Sequence, residues 1–346
     1  MPPDPPETAP EPLDVIGVGS PLVDILAPTT DDVLERVGLE KGSMELVDLA
    51  RAEHIYAAMG PTTEMSGGSA ANTVVGVAAL GGRAGFVGKV GDDTLGRVFS
   101  HDIAAAGVVF GPVADRAGST ADAEATGTGR CLVLVTGEGE RTMATHLGVA
   151  TTITPEGLPL DLVVQGRLLY LEGYLWDLPP AKEAMRRALD AVHDHDGSVA
   201  LTLSDSFCVE RHRRDFLDLV NGGVDVLFAN EEEIISLFST GSFDAAVSAV
   251  EETGLLAALT RGAKGSVVVT PNGPVSVPAA PVDRVVDTTG AGDLFAAGFL
   301  FGLTRGAGPE ESARLGGLCA AEIISHLGAR PQADLRALAA EAGLTV

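Results

Sequence analysis

Cysteine is scarce: Cys131, Cys208 and Cys319 are three in 346 residues and stand far apart. Their spacing matches neither a disulfide framework nor a metal-ligand cluster, and a reducing cytoplasm is the simplest setting for it. Basic residues are also few, 23 Lys and Arg against 48 Asp and Glu, for a net charge of -25. A surface this acidic repels nucleic acid and anionic membranes, so neither is expected as a partner. No continuous run of about 18 apolar residues occurs, which argues against a membrane-spanning helix. The opening stretch MPPDPPETAPEP has no basic region followed by an apolar one, so it does not read as a secretory leader. Its proline and acid content predicts a disordered tail over residues 1–12.

What is present is a large core. Hydrophobic residues make up 45% of the chain, enough for one large or two modest domains. Asp14–Gly19 reads as a short buried strand ending in glycine. From residue 181 onward helical and extended stretches alternate: 181–194, 199–205, 209–221 and 224–228. That alternation predicts an α/β architecture, a mostly parallel sheet with helices on both faces. The runs flanking the acidic turn at Gly137–Glu140 predict a hairpin. Because cations are few, Lys89, Arg97, Arg141, Arg261 and Lys264 are the candidates to gather around an anionic ligand, although each taken singly reads as a solvated charge.

The chemistry concentrates at VVDTTGAGDLFAAGFL, residues 285–300. Gly290, Ala291 and Gly292 carry almost no side chain and open a helix, so an anion can approach backbone amides there. Asp293 repels a phosphate unless it has a task such as accepting a proton, and a base that activates a hydroxyl for phosphoryl transfer suits both halves of the motif. A helix start with its acid in the first turn is the alternative.

The string Asp287, Thr288, Thr289, Gly290, Ala291, Gly292, Asp293, with Ala296, Ala297 and Gly298 behind it, resembles the C-terminal signature of the ribokinase (PfkB) family of carbohydrate and nucleoside kinases. Gly67, Gly68, Ser69 and Asn72 resemble its N-terminal glycine signature, and Gly88, Gly91, Asp92 and Gly96 a connecting motif. GVGSPLVDIL, with Ser20 and Asp24, is similar to the adenosine-kinase branch of that family. The resemblance runs from about Asp14 to Pro331.

It implies a ribokinase-like three-layer α/β/α sandwich over residues 13–346. A small β-sheet lid is implied near 20–28, 41–48, 61–66 and 108–147. Asp293 would be the base and the Gly290–Asp293 amides the anion hole. Ser20, Asp24, Met44, Gly67, Gly68, Ser69, Asn72, Arg141 and Tyr174 would meet the substrate, Tyr174 by stacking on a purine and Arg141 by reaching the transferring phosphate. Asn230, Glu233, Thr260, Arg261, Gly262 and Gly265 would serve ATP, with Glu233 acting on Mg2+ through water. Asp287 and Thr289 are candidates to border a K+ site. The implied reaction is phosphorylation of a purine nucleoside at the 5'-hydroxyl, adenosine to AMP, by a monomer or homodimer. A sugar kinase acting on ribose, fructose or 2-keto-3-deoxygluconate is the alternative, and a non-catalytic nucleotide-binding relative is a third reading.

Overall fold

The computed structural model describes residues 12–114 and 127–344. The tail expected over residues 1–12 therefore falls, except for Pro12, outside the described residues. Among the described residues fourteen strands follow in chain order. They are β1 (Leu13–Val18), β2 (Leu22–Pro28), β3 (Met44–Leu46), β4 (Thr63–Gly67), β5 (Ala84–Gly88), β6 (Val109–Pro112) and β7 (Gly129–Val135). After them come β8 (Arg141–His146), β9 (Gly166–Glu172), β10 (Ser198–Thr202), β11 (Val226–Asn230), β12 (Leu256–Thr260), β13 (Ser266–Thr270) and β14 (Gly273–Val277).

Nine of these form one sheet in the order β14-β13-β12-β11-β10-β9-β1-β5-β6. Pairing is parallel from β12 through β6, and the β12, β13 and β14 pairings are antiparallel. The central strands are buried on both faces because their side chains alternate between two apolar layers. Val15, Leu168 and Tyr170 join one cluster, with the helices Ser69–Ala79, Ala291–Thr304 and Pro309–Ile323. Ile16, Leu169 and Leu171 join the other, with Pro179–His193, Ser206–Val220, Glu231–Phe238 and Phe243–Thr253.

Small residues let the first helix layer lie close. A Cβ on Gly76 would stand 2.6 Å from the Ala297 Cβ, so only glycine allows the Ser69–Ala79 and Ala291–Thr304 helices to meet at that depth. Phe299, fully buried, then sets its ring edge-on to Phe228 of β11 with centroids 5.4 Å apart. Burying such a ring is worth about 1.5–3 kcal/mol.

The other five strands form a smaller sheet in the order β3-β8-β7-β2-β4. The period of two is plain in β2, where Val23 and Ile25 are fully buried while Leu22 and Asp24 are only partly buried. The expected hairpin is β7 with β8, paired antiparallel from Arg130↔His146 to Val135↔Arg141. One boundary needs correction. Val109–Pro112, inside the segment expected to begin the lid, is instead the edge strand of the large sheet, in parallel register with β5.

The sheet's carboxyl edge is where the chemistry-bearing residues collect. β1 runs into Ser20, β9 ends at Glu172, β11 at Asn230 and β12 at Thr260. No helix of the described residues is long and apolar enough to cross a membrane.

Candidate active site

Two glycine turns meet here. At the first, Gly290 has φ 79°, a left-handed conformation that glycine adopts without strain, and a Cβ there would press on Ala329 at 3.0 Å. The Ala291 N–H closes the turn onto Thr288 O at 3.2 Å. Of the residues expected to line an anion site, Ala291 thus spends its amide on the turn. The amides of Gly292 and Asp293, second and third in the helix, have no helical carbonyl one turn back. A Cβ at Gly292 would meet nothing within 4 Å among the described residues, so no side chain or backbone crowds that position of the helix start.

The second turn is Gly67–Gly68, where β4 enters the Ser69–Ala79 helix. A side chain on Gly68 would collide with the Ser20 carbonyl, and one on Gly67 with the Asp24 carboxylate. Bare backbone therefore brings Ser20, Asp24 and the helix start together. From that start Ser69 Oγ donates to Asp293 Oδ1 at 2.7 Å, and Asn72 Nδ2 donates to Asp293 Oδ2 at 3.0 Å. Burial pushes the Asp293 pKa up, while the bonds from Asn72 and Ser69 and the Arg330 charge pull it down. Asp24 is raised to about 6, chiefly by burial. Ser69, Asn72 and Asp293, three of the residues expected at the site, form one hydrogen-bonded group.

Glu172 belongs to none of the motifs and sits in the apolar strand LLYLEGYLW, yet it ties the two halves together. Its carboxylate, 1% exposed, accepts from Ser20 N at 2.6 Å and from Ala70 N at 3.0 Å. Burial raises its pKa to about 7 against those stabilising amides. The signal available in sequence is an acid inside an otherwise apolar strand at a sheet's carboxyl edge.

In front of this group lies a cleft of about 500 Å3, lined among others by Ser20, Met44, Ser69, Glu172, Tyr174 and Phe207. Met44 and Phe207 are large apolar side chains left 43% and 69% exposed, so the cleft presents apolar surface beside its polar groups. The Tyr174 hydroxyl donates to Ser204 O at 3.4 Å, which directs its ring along the cleft wall.

Other expected residues are engaged locally. Asn230 and Glu233 close on each other as a capping box: Asn230 N and Nδ2 donate to the Glu233 carboxylate at 2.9 and 2.6 Å, and Glu233 N donates back at 2.9 Å. Burial raises the Glu233 pKa to about 7. Thr260 pairs with Asn230 across adjacent strands. Arg261, expected at the ATP phosphates, places its guanidinium on Glu231 at 3.0 Å and over the Phe243 ring. Gly262 and Gly265 are both left-handed, at φ 56° and 83°, and a Cβ on Gly265 would strike the Val277 carbonyl.

Arg141 crosses from the smaller sheet to the Asp287 segment. Its Nη1 donates to Thr289 Oγ1 at 3.1 Å, and Nη2 lies 2.5 Å from Asp287 Oδ2. Asp287 also accepts from Thr289 N at 3.0 Å and Gly328 N at 2.9 Å. The two residues expected to border a K+ site thus hold an arginine. Among the described residues no group of three or more His, Cys, Asp or Glu is placed to hold a metal.

A pfkB family carbohydrate kinase profile matches residues 42–335. The chain is 30% identical to adenosine kinase of Saccharomyces cerevisiae over 341 residues, covering 91% of this chain and 95% of that one. It resembles the solved structure of adenosine kinase from Sinorhizobium meliloti with 46% identity and a TM-score of 0.86, over 95% and 99% of the two chains. It resembles that of a probable sugar kinase from Rhizobium etli CFN 42 with 42% identity and a TM-score of 0.88, over 97% and 100%. The fold is ribokinase-like, a large mostly parallel sheet between helices with a smaller sheet beside it.

Proposed function

Because the chain belongs to the pfkB family of carbohydrate kinases, we propose that it moves the γ-phosphoryl group of ATP to the 5'-hydroxyl of a purine nucleoside, adenosine giving AMP, with Asp293 as the general base. The observation that carries this reading is the Asp293 carboxylate, held by Ser69 and Asn72 in the first turn of its helix, with Ser69 itself lining the cleft.

The chain's own groups divide the work. Each Asp293 oxygen accepts one hydrogen bond from the protein and keeps lone-pair capacity for a proton. Asp293 takes the hydroxyl proton as that oxygen bonds to phosphorus and the bond to the departing ADP breaks. The Gly292 and Asp293 amides face the charge that gathers on the transferred group. ATP carrying Mg2+ supplies that group when bound, and the uncluttered backbone at Gly292 fits a polyphosphate. A Mg2+ ion brought in on phosphates needs only one or two carboxylates, so the lack of a three-acid cluster among the described residues agrees with it, and Glu233 would reach it through water.

Asp24, partly buried on β2 beside Gly67, is the group assigned to the ribose hydroxyls, and the buried Asn72 Oδ1, without a partner among the described residues, is a second acceptor for them. Tyr174, Met44 and Phe207 would bracket the base. The smaller sheet would act as the lid, excluding the water that competes with the alcohol. Likeness to a probable sugar kinase at 42% identity favours a second reading, a sugar such as ribose, fructose or 2-keto-3-deoxygluconate in the same place.

The test is turnover of adenosine, inosine, ribose and fructose side by side, with Asp293→Asn in parallel. Adenosine should give the highest kcat/KM, and Asp293→Asn should lose about 10²- to 10⁴-fold in kcat with nucleoside affinity kept. Preference for ribose or fructose would replace the nucleoside assignment, and near-normal turnover by the variant would remove the base.

A further inference from the structure

We propose that Arg330 is the positioning residue that assembles Asp293 with its two donors. The inference rests on the reading of Asp293 as base and extends it to a residue outside every motif that points to this site.

The short loop Gly328–Arg330 touches both glycine turns. Gly328 N donates to Asp287 Oδ2 at 2.9 Å, and Ala329 packs behind Gly290, which fixes the turn from which Asp293 projects. Arg330 then reaches across to the other turn with its whole fork. Nε donates to Ser66 O at 3.1 Å, Nη2 to Ser66 Oγ at 3.2 Å and Nη1 to Ala71 O at 2.9 Å. Ser66 and Ala71 bracket Ser69, and Ala71 directly precedes Asn72, so the arginine grips the segment that carries both donors to Asp293. One side chain therefore sets the distance between the helix that carries Asp293 and the helix that carries its donors.

The bonding is unusual for a cation in a chain so acidic. All of these acceptors are neutral, and among the described residues Arg330 makes no ion pair. Its charge faces Asp24, Asp293 and Asp102 instead, while Asp293 is faced by Arg330, Asp24, Glu172 and the phenols of Tyr170 and Tyr174. Burying a guanidinium on neutral partners is costly unless its geometry or its field is needed. Lysine keeps the charge but has no planar fork, so the two contributions can be separated.

The experiment measures kcat, KM and the pH profile of kcat/KM for the full chain with ATP and adenosine, comparing wild type, Arg330→Lys and Arg330→Gln. Arg330→Lys should lower kcat about tenfold while leaving the acid limb in place and the nucleoside KM nearly unchanged, because orientation is lost and charge kept. Arg330→Gln should also move the acid limb up by about one pH unit, since the base loses a facing cation. Wild-type kcat in Arg330→Lys overturns the positioning role, and an unmoved limb in folded Arg330→Gln overturns the electrostatic part. If Arg330→Gln does not fold, the Arg330→Lys result decides. Asp293→Asn run alongside separates the two readings: a lowered kcat in Arg330→Lys with an active Asp293→Asn refutes the base assignment and not the contact.

Discussion

Asn72 Nδ2 donates to Asp293 Oδ2 at 3.0 Å, while Oδ1 of the same amide is buried and has no partner among the described residues. One side chain thus orients the carboxylate and offers an acceptor beside it. Asn72→Ala and Ser69→Ala each remove a donor to the ionised form of Asp293. A hydrogen bond to a charged group is worth about 1.5–3 kcal/mol, so the Asp293 pKa should climb by about one unit or more. In the proposed mechanism activity needs deprotonated Asp293, so the acid limb of kcat/KM should move to higher pH in both variants. Unchanged limbs in both would show that these bonds do not govern the base.

Gly290 and Gly292 are two positions apart and should respond oppositely to alanine. At Gly290 the left-handed φ of 79° and the Ala329 contact make Gly290→Ala destabilising by about 1–3 kcal/mol in urea unfolding. At Gly292 the new methyl would meet nothing within 4 Å, and alanine suits a helix better by about 0.5–1 kcal/mol. Gly292→Ala should fold at least as well as wild type yet turn over more slowly, because the methyl would crowd the amides proposed to face the transferred phosphoryl group. A Gly292→Ala enzyme with full kcat would show that this backbone is not the anion site.

The parallel sheet was legible because β1, β9, β10, β11 and β12 are short apolar runs separated by helical ones. The glycine turns were legible because a close backbone approach demands glycine at Gly68 and Gly290 whatever surrounds them. Partnership was not. Arg141 is written next to an acidic turn but bonds Asp287 and Thr289, 146 and 148 positions away, and Arg261 is spent on Glu231 and Phe243. Glu172 and Arg330 were missed for a related reason: each acts through backbone amides or carbonyls, which leave no mark on the residue types around them. Val109–Pro112 went to the wrong sheet because a four-residue extended run does not declare its neighbour.

Arg141 and Asp287 join the smaller sheet to the loop before Asp293, with side chains only 10% and 2% exposed. Removing the arginine leaves a buried carboxylate supported by two amides but without its cation, a change that typically costs about 3–5 kcal/mol. Arg141→Met should therefore destabilise strongly, and Arg141→Met combined with Asp287→Asn should cost much less than the two single changes added together. A double-mutant cycle from urea unfolding measures this, and a coupling energy near zero would mean that the pair does not tie the smaller sheet to that loop.

Glu172 gives the chain an uncommon dependence on pH. Its folded pKa of about 7 lies above the ordinary glutamate value of 4.5, so between those values the folded state binds a proton that the unfolded chain has released. Stability from this group is therefore present in acid and declines as pH rises through that window, the reverse of a salt-bridged carboxylate. The full swing is roughly 3 kcal/mol, because a pKa difference of one between folded and unfolded chain is worth about 1.36 kcal/mol. Asp24, raised to about 6, and Glu233, raised to about 7, act in the same direction. Glu172→Gln isolates one of the three. Glutamine cannot titrate, and its NH2 cannot accept from one of the two amides at Ser20 and Ala70, so the variant should be the less stable protein at pH 5. Its deficit should shrink steadily toward pH 8, where wild type must keep a buried carboxylate ionised. Urea unfolding of both proteins across that range tests the sign directly: a deficit that stays constant or grows with pH would place the Glu172 titration below the range and refute the raised pKa.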